Sequence, residues 1–282
     1  MNKINLIFTF LIVVLLASCT EKEITIPEYT PPTTDKAILI EEFTGVQCTN
    51  CPNGAKVIKA MEEKYGDIIV PIAIHNSDDF SLPIDSSKYD FRTKIGDKVF
   101  SIHSSSSIPK PAASFNRVFF EDAEEIPVPP TVWQSSLNTE LQKPNVAYLD
   151  MILDYNSDTR EVKVTATVSP VTDLKGTFKL SVALTENKII DYQKIPDDGG
   201  KSKVIEYEFN NVLRDMITPF DGELIGSDLK KYDKIVKTLS YTLPEPGDLW
   251  IPEHIDIVAF ITGGEKDSTK PVLNAIKKHL IE

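Results

Sequence analysis

The chain has 282 residues, enough for one large domain or two of ordinary size. Hydrophobic residues make up 41% of it and charged residues 26%, values that are typical of globular proteins rather than of disordered chains. Its 30 basic and 42 acidic side chains give a formal net charge of −12, and no lysine- or arginine-rich block offsets this balance. We therefore expect no nucleic-acid partner and no general attraction to anionic lipid surfaces.

The N-terminus has the pattern of an export signal. Lys3 precedes an apolar run over 4–16, which is too short to span a membrane comfortably and ends in small residues. The sequence Leu-Ala-Ser-Cys at 16–19 resembles the lipobox of bacterial lipoproteins, in which the cysteine thiol receives a diacylglyceryl group. We expect residues 1–18 to be a lipoprotein signal peptide and Cys19 to anchor the protein to a membrane of the bacterial envelope. The alternative is an ordinary secretory peptide that leaves a free thiol.

The exported part then holds two cysteines, Cys48 and Cys51, spaced as Cys-x-x-Cys. In an oxidising compartment they can pair with each other or with another molecule. A disulfide between them closes a very small loop and constrains the unfolded chain little, which weakens a purely stabilising role. Zinc is disfavoured because a structural site needs four ligands and the chain has no second Cys-x-x-Cys. We expect no metal and no other cofactor.

The segments after the anchor predict a tether and a β-α-β unit. Residues 19–35 are polar and hold three prolines, which indicates a flexible tether. Residues 36–43 form an apolar run typical of a buried strand, and apolar residues then recur at helical spacing as far as Tyr65. A second apolar run over 67–75 completes the unit.

The next segments complete the predicted α/β domain, which we place at residues 36–145. Residues 76–107 are polar, and we expect a helix over 86–100 and a loop over 101–107. Residues 109–122 return to strand character, and a helix is predicted between Pro130 and Pro144.

The second half predicts an all-β domain over 146–282. Six runs alternate apolar and polar residues between Asn, Asp, Gly and Pro turns, a pattern typical of an immunoglobulin-like antiparallel β-sandwich. The last run, 271–282, fits a strand or a short helix. Residues 197–202 are interpreted as a flexible hairpin connection, because no helix pattern and no alternating acidic ligands accompany their two glycines. The predicted fold class is thus α/β followed by all-β.

A strand, a short loop, Cys-x-x-Cys and a helix together resemble the thioredoxin fold. Cys48 would then lie at the helix N-terminus, where free backbone N–H groups and the helix dipole favour a thiolate. Cys51, one turn inside the helix, would be shielded and would resolve a mixed disulfide.

The thioredoxin resemblance also implies roles for three further residues. Glu42 holds the position of the family's buried acid, six residues before the first cysteine, and its carboxylate could take the proton of Cys51. Pro111 is the candidate for the family's cis-proline, with Pro109 as the second choice. The backbone of Lys110 would lie beside Cys48 and bind a peptide substrate.

Three features depart from thioredoxin. Gln47 stands where the family has tryptophan, Thr49 and Asn50 replace Gly-Pro between the cysteines, and the interval from Cys51 to Pro111 implies an insertion. The redox potential and the direction of electron flow therefore do not follow from the resemblance.

Four segments together resemble the Omp28-related outer-membrane lipoproteins of Bacteroidetes. They are the lipobox, EEFTGVQCTNCP at 41–52, KPAASFNR at 110–117 and NNVLRD at 210–215. This resemblance implies a lipid-anchored protein of the outer membrane and no defined substrate.

The remaining candidate residues are given structural roles. His75 and His103 are interpreted as polar residues of a strand end and a loop. Asn116 and Arg117 could orient a loop near the site or form a strand-edge salt bridge, and Arg214 is a candidate structural anchor. Packing roles are expected for Trp133 and Trp250.

Two functions of different class remain. The first is a thiol–disulfide oxidoreductase acting on envelope proteins through Cys48, Cys51, Glu42 and Pro111. The second is a non-catalytic adhesion or binding lipoprotein in which the disulfide is structural and the β-sandwich presents loops to a partner.

Overall fold

The N-terminal half contains the predicted β-α-β unit. The computed structural model describes residues 36–120, 125–245, 247–265 and 271–281, so the predicted signal peptide, Cys19 and the tether lie outside the described residues. Strands β1 (Ile38–Phe43) and β2 (Ile69–Ile74) are parallel neighbours, joined by helix α1 (Cys51–Tyr65) and the 3-10 turn Gly66–Ile68. Every residue of both strands is buried, as is typical of parallel strands covered on both faces.

A proline occurs inside β2 because its missing N–H would face an open part of the sheet. The N–H of Ala73 donates to the carbonyl of Asn211. The backbone N–H groups of alternate residues in β2, counted from Ala73, therefore point towards strand β9 (Val212–Met216). That strand pairs with β2 only through Ala73 and Val212. Pro71, two residues earlier, therefore removes no ladder hydrogen bond.

Helix α2 (Lys94–His103) begins later than the sequence predicted. The hydroxyl of Thr93 accepts a hydrogen bond from the N–H of Gly96 at 2.9 Å and caps the helix there. Residues 86–93 are therefore not helical, and 101–103, predicted as loop, form the last turn.

Strand β3 (Ala112–Phe115) pairs antiparallel with β1 and is shorter than the predicted 109–122. It ends because Asn116 and Arg117 both adopt positive φ, 51° and 52°. Helix α3 (Trp133–Leu141) follows the 3-10 turn Pro130–Val132, inside the predicted range.

The C-terminal half is all β, as predicted. Its strands, besides β9, are β4 (Ala147–Asn156), β5 (Glu161–Pro170), β6 (Thr177–Glu186), β7 (Ile189–Pro196), β8 (Ser202–Phe209), β10 (Glu223–Ser227), β11 (Ile235–Thr242), β12 (Ile255–Gly264) and β13 (Val272–His279), with a 3-10 turn at Pro252–His254. The predicted run 203–214 is two strands, since Asn211 has φ 56° and breaks it. Strands β7 and β10 were not predicted, and the last run is a strand rather than a helix.

The strands form three sheets. The largest has eight strands in the order β13-β12-β6-β9-β2-β1-β3, with β10 paired to β6. The second has the order β11-β5-β4, and its apolar face packs against β6 and β12. The third consists of β7 and β8 alone.

One sheet connects both halves of the chain. The predicted boundary near residue 145 falls between α3 and β4, yet β1 to β3 and five later strands share the eight-stranded sheet. Further hydrogen bonds add to this connection: Oδ1 of the Asn274 side chain accepts from the N–H of Ala37 at 2.9 Å. The carbonyl of Asn116 accepts from the N–H of Val272 at 2.8 Å.

Candidate functional site

The two cysteines lie where β1 turns into α1, and they form a disulfide with Cα atoms 5.4 Å apart. Cys51 is the first residue of the helix, so the prediction that it lies one turn inside is wrong, and Cys48 lies in the turn three residues before the helix. Pro52 fits the start at Cys51, because a residue of the first helical turn needs no N–H donor. Both cysteines are only 2% exposed.

The turn that precedes the cysteines requires glycine at position 45. A Cβ at this position would lie 2.3 Å from the backbone oxygen of Phe80, so only glycine lets the insertion loop approach. The same oxygen accepts a hydrogen bond from the N–H of Gln47 at 2.8 Å, and the carbonyl of Gly45 accepts from the N–H of Cys48 at 3.0 Å. The turn is therefore held from the side of residues 76–82.

Glu42 is buried on the face of β1 that packs against α1. It is 5% exposed, and its Oε1 has no hydrogen-bond partner among the described residues. Burial raises the pKa of Glu42 to about 8, so the carboxyl group is mostly protonated at neutral pH. It lines a cavity of about 580 Å³ whose walls include Lys59, Pro71, Tyr207 and His254.

Pro111 follows a cis peptide bond, which confirms the predicted isomer and favours Pro111 over Pro109. Gly54, in the first turn of α1, brings Pro111 and Glu42 together. A Cβ on Gly54 would lie 3.0 Å from Glu42 Oε1, from Pro111 Cβ and from the ring of Trp133. Thus the acid and the cis-proline both lie against the helical turn that begins at Cys51.

The side chain of Lys110 makes hydrogen bonds that the sequence did not predict. Its buried amino group donates to the carbonyl of Thr44 at 2.9 Å, to Asp78 Oδ1 at 3.0 Å and to Ser81 Oγ at 2.9 Å. Burial lowers the pKa of Lys110, against the hydrogen bond and charge of Asp78. This side chain fastens the insertion loop to the end of β1, while the expected role of its backbone in binding a peptide stays a prediction.

The opposite face of β1 carries a paired acid, Glu41. Arg117 donates to both of its oxygens, at 2.9 and 2.6 Å, and the Ser114 hydroxyl donates at 3.2 Å. His103 Nε2 lies 2.7 Å from Oε2, and its Nδ1 lies 2.9 Å from the carbonyl of Val99. Burial alone would raise the pKa of Glu41, but the charges and hydrogen bonds of Arg117 and His103 outweigh it and lower that pKa.

This network decides the roles of two predicted residues. His103 is not a loop residue; it lies in the last turn of α2 and is 3% exposed. Arg117 forms a salt bridge, one of the two roles considered, but the pair is buried rather than at a strand edge. Sequence reasoning missed Glu41, although the consecutive acids in an otherwise apolar strand were the signal.

Asn116 holds three elements together. Its side-chain oxygen accepts from the N–H of Leu39 at 2.9 Å, and its amide donates to the buried carboxylate of Glu140 on α3 at 2.9 Å. With its backbone bond to Val272, it joins β1, α3 and β13, so it supports the fold rather than a loop at the cysteines.

His75 directly follows β2, which confirms the predicted strand-end position, but it is buried in an aromatic cluster rather than in polar surroundings. Its ring centroid lies 5.1 Å from that of Phe91 and 6.0 Å from that of Phe209. Burial, and then the positive charges of Lys110 and Arg214, lower the pKa of His75 to about 3. Among the described residues, neither ring nitrogen of His75 has a hydrogen-bond partner, and no cluster of potential metal ligands occurs.

The predicted anchor and packing residues have identifiable contacts. Arg214 lies 3.3 Å from the carboxylate of Glu186 and 5.2 Å from the ring centroid of Trp250. Trp133 is fully buried, and its indole N–H donates to the carbonyl of Val128 at 2.8 Å.

The β7–β8 hairpin contacts the cysteine turn, which sequence reasoning missed. The buried amide of Gln193 donates to the carbonyl of Cys48 at 2.9 Å, and the N–H of Lys194 donates to the carbonyl of Val46 at 2.9 Å. The run of 189–196 just before the predicted hairpin connection was the available signal, since a hairpin needs two strands.

Comparison with protein families places the chain. The family model described as outer membrane protein Omp28 matches residues 106–281. The chain belongs to the Omp28 family. This confirms the family resemblance and supports a location in the cell envelope. The Omp28 match includes Pro111 and Gln193 but begins after the cysteine pair.

Two solved structures of other proteins align with this Omp28 family member, and the first resembles it in fold. HBP35 of Porphyromonas gingivalis aligns with a TM-score of 0.62 at 15% identity, over 89% of this chain and 77% of that one. Protein AGR_C_4864 from Agrobacterium tumefaciens aligns with a TM-score of 0.48 at 13% identity, over 89% of this chain and 97% of that one. No curated protein has a matching sequence. Within the described residues, none of the helices has the length and hydrophobicity needed to cross a membrane.

Proposed function

We propose that this Omp28 family protein exchanges disulfides with thiols of other envelope proteins, through Cys48 and Cys51 in a thioredoxin-like N-terminal half. One observation carries the proposal. A single helical turn, which begins at Cys51, lies against both a protonated carboxyl group and a cis-proline, as the 3.0 Å approaches at Gly54 indicate. An inert disulfide has no need of an unpaired buried acid.

The chemistry starts from the oxidised pair. A substrate thiolate attacks Sγ of Cys48, the Cys48–Cys51 bond breaks, and Cys51 leaves as a thiolate. Glu42, protonated at neutral pH, supplies a proton to that thiolate and becomes a carboxylate. A second substrate thiolate then attacks the substrate sulfur of the mixed disulfide, so Cys48 leaves reduced. Two substrate thiols become one disulfide, and the cysteine pair takes up the two electrons.

The cavity beside Glu42 gives this acid a route to solvent. It is bordered by α1, the base of the β7–β8 hairpin and the ends of β12 and β13. Water entering it would restore the proton of Glu42 after each turnover. In the reverse direction the same carboxylate accepts the proton of Cys51 before that thiol attacks.

The other parts of the proposal concern placement. Cys19 carries the lipid, and residues 20–35 form the tether to the outer membrane. The β-sandwich, of immunoglobulin-like kind, docks partner proteins. Mass spectrometry of the membrane-extracted protein tests the anchor: the wild type should carry diacylglycerol on Cys19, and Cys19→Ser should move the protein to the soluble fraction.

The decisive experiment follows insulin reduction by dithiothreitol with the full chain. The wild type should accelerate insulin precipitation, Cys48→Ser should abolish the acceleration, and Cys51→Ser should accumulate mixed disulfides through Cys48. Glu42→Gln should slow the reaction about 100-fold, the lower end of the range for general acid–base catalysis. Wild-type activity no greater than that of Cys48→Ser would exclude thiol–disulfide exchange.

The burial of both cysteines favours a second candidate. In a non-catalytic binding protein the Cys48–Cys51 disulfide is structural and can remain closed, as its 2% exposure suggests. This candidate predicts the same insulin behaviour for the wild type and both serine variants, together with a lower melting temperature for the variants.

A further inference from the structure

The β7–β8 hairpin is a ribbon with its own sheet. Its strands pair only with each other among the described strands, through Ile189–Phe209 to Pro196–Ser202. An isolated two-stranded hairpin is marginally stable in water, so this one depends on what it packs against. Residues 196–204, at and beside its tip, are all exposed.

The base of the hairpin is fixed more firmly than its outer part. At the base, Phe209 packs against Phe91 with ring centroids 4.7 Å apart. Asp191 accepts from the backbone N–H groups of Lys88 at 2.8 Å and Tyr89 at 3.0 Å. Beyond Asp191, the hydrogen bonds of β7 go to the cysteine turn instead.

Those hydrogen bonds end on the turn that carries Cys48. Gln193 donates to the carbonyls of Cys48 at 2.9 Å and Gly45 at 3.3 Å. Lys194 donates its N–H to the carbonyl of Val46 at 2.9 Å and its amino group to the side chain of Gln47 at 2.7 Å. The hairpin tip, 196–202, borders the same cleft as Thr49 and Asn50.

These contacts conflict with the proposed reaction. A thiolate must reach Sγ of Cys48, yet both cysteines are 2% exposed. The hairpin is also hydrogen-bonded to the turn that ends at Cys48, from Gly45 to Cys48 itself. A protein substrate also needs room for its own backbone beside the disulfide.

We propose that the β7–β8 hairpin is a reversible cover of the disulfide, and that Gln193 is its latch. An extended polypeptide segment that carries a cysteine takes the place of β7, and its N–H groups bond to the carbonyls of Val46 and Cys48. Backbone pairing of this kind recognises extended chains irrespective of most side chains. The inference rests on the proposed exchange reaction for its substrate, while the cover itself can be tested without it.

The first experiment measures how fast the disulfide is reduced by a water-soluble phosphine, with alkylation and mass spectrometry as the readout. Gln193→Ala removes the two hydrogen bonds from its amide to the cysteine turn, besides one to the carbonyl of Lys194 within the hairpin. It should accelerate reduction about tenfold, since each bond to the turn shifts the equilibrium between covered and open states by about a few-fold to tenfold. Lys194→Ala, which keeps the backbone bond to Val46, should accelerate it about threefold. Gln134→Ala is the matched control, because Gln134 is an exposed glutamine whose amide donates to Asn138 on the same helix, α3.

The second experiment tests what replaces the hairpin. Cys51→Ser is loaded as a mixed disulfide between Cys48 and a short extended peptide with one cysteine. Amide hydrogen exchange of the hairpin over 193–205 should rise about tenfold relative to the unloaded variant, because the peptide occupies the position of β7. Loading with a small thiol such as cysteamine is the control and should leave more of the protection in place.

The outcomes separate the cover from the proposed function. Accelerated reduction of Gln193→Ala in a protein without insulin activity keeps the cover and removes the function. Wild-type reduction rates in both Gln193→Ala and Lys194→Ala overturn the cover and leave the function standing. If Gln193→Ala proves unfolded by circular dichroism, Lys194→Ala decides alone. Unchanged hairpin exchange in the peptide adduct overturns the displacement.

Discussion

The two faces of β1 carry neighbouring glutamates that are equally buried and differently charged. Glu41 accepts hydrogen bonds from Arg117, with His103 beside it, and its pKa is lowered. Glu42, one residue later, has an unpartnered Oε1, and burial raises its pKa to about 8. Burial therefore does not fix the charge of a carboxyl group; the partners on its own side of the sheet do.

The two glutamates are also suited to different roles, Glu41 to stabilising the fold and Glu42 to proton transfer. A paired, ionised acid holds its neighbours in place and has no proton to give. An unpaired, protonated acid stabilises little, but it can exchange a proton at neutral pH. Glu41 is the paired acid and Glu42 the unpaired one, and because they are consecutive in β1 their side chains point to opposite faces of the sheet.

Removing Glu41 should give the largest effect. Glu41→Ala leaves the guanidinium of Arg117 buried without its anion, and we expect a loss of about 3–5 kcal/mol of unfolding free energy. Urea denaturation at pH 7 measures it. The double variant Arg117→Met, Glu41→Gln should be more stable than Glu41→Ala, because both charges of this buried pair are removed together.

Removing the titration of Glu42 should change the pH dependence of stability instead. Its folded pKa lies above its unfolded value of about 4.5, so the folded state holds more protons and wild-type stability falls as pH rises from about 4.5 to about 8. The loss through this one group is about 3 kcal/mol between pH 5 and 8.

Glu42→Gln should abolish that component, so the variant gains on the wild type as pH rises. Urea denaturation of both proteins across this range gives the difference. A constant difference between them would mean that Glu42 is ionised in the folded protein and would weaken its assignment as a proton donor.

Adding a methyl group at Gly54, where α1 faces Glu42, should have an intermediate effect on stability. In Gly54→Ala the new Cβ lies 3.0 Å from Glu42, Pro111 and Trp133, and we expect a loss of about 1–3 kcal/mol through overpacking. Gly199→Ala is the matched control, because a Cβ there meets nothing within 4 Å. Equal melting temperatures for the two variants would contradict the close approach of α1 to the cis-proline.

Removing one donor from Glu41 should have the smallest effect. Ser114→Ala deletes a hydroxyl that lies 3.2 Å from both Glu41 Oε2 and His103 Nε2. Arg117 still donates to Glu41 in this variant, so a loss of about 1 kcal/mol is expected. Ser101→Ala, at an exposed serine of α2, should change stability by less than about 0.5 kcal/mol. A loss for Ser114→Ala as large as that for Glu41→Ala would show that the network has no redundancy.

Much of this site could be predicted from the sequence because its elements are local. The β-α-β unit follows from two apolar runs around a helical pattern, and the cis bond before Pro111 follows from the thioredoxin resemblance. The start of α1 was predicted three residues too early, at Cys48, whereas the helix begins at Cys51, just before Pro52. The start of α2 depended on a single hydroxyl, that of Thr93.

The remaining features depend on distant residues. Glu41 and Arg117 are 76 positions apart, and Gln193 lies 145 positions from Cys48, so no local pattern joins them. His103 was expected to be solvated because serines follow it, but tertiary packing against Phe43 and Glu41 determined its place. The hairpin cover was missed for the same reason.

The shared eight-stranded sheet has a consequence for handling the protein in pieces. A fragment that stops at residue 145 would lose β9 beside β2 and the Phe260 ring that lies over Arg117, at 4.9 Å from its guanidinium carbon. Its open strand edge and uncovered apolar surface would favour self-association. Such a fragment would also lack Gln193, which donates to the carbonyl of Cys48. The environment of the cysteines is thus a property of the entire polypeptide, and an isolated N-terminal half would not report on it.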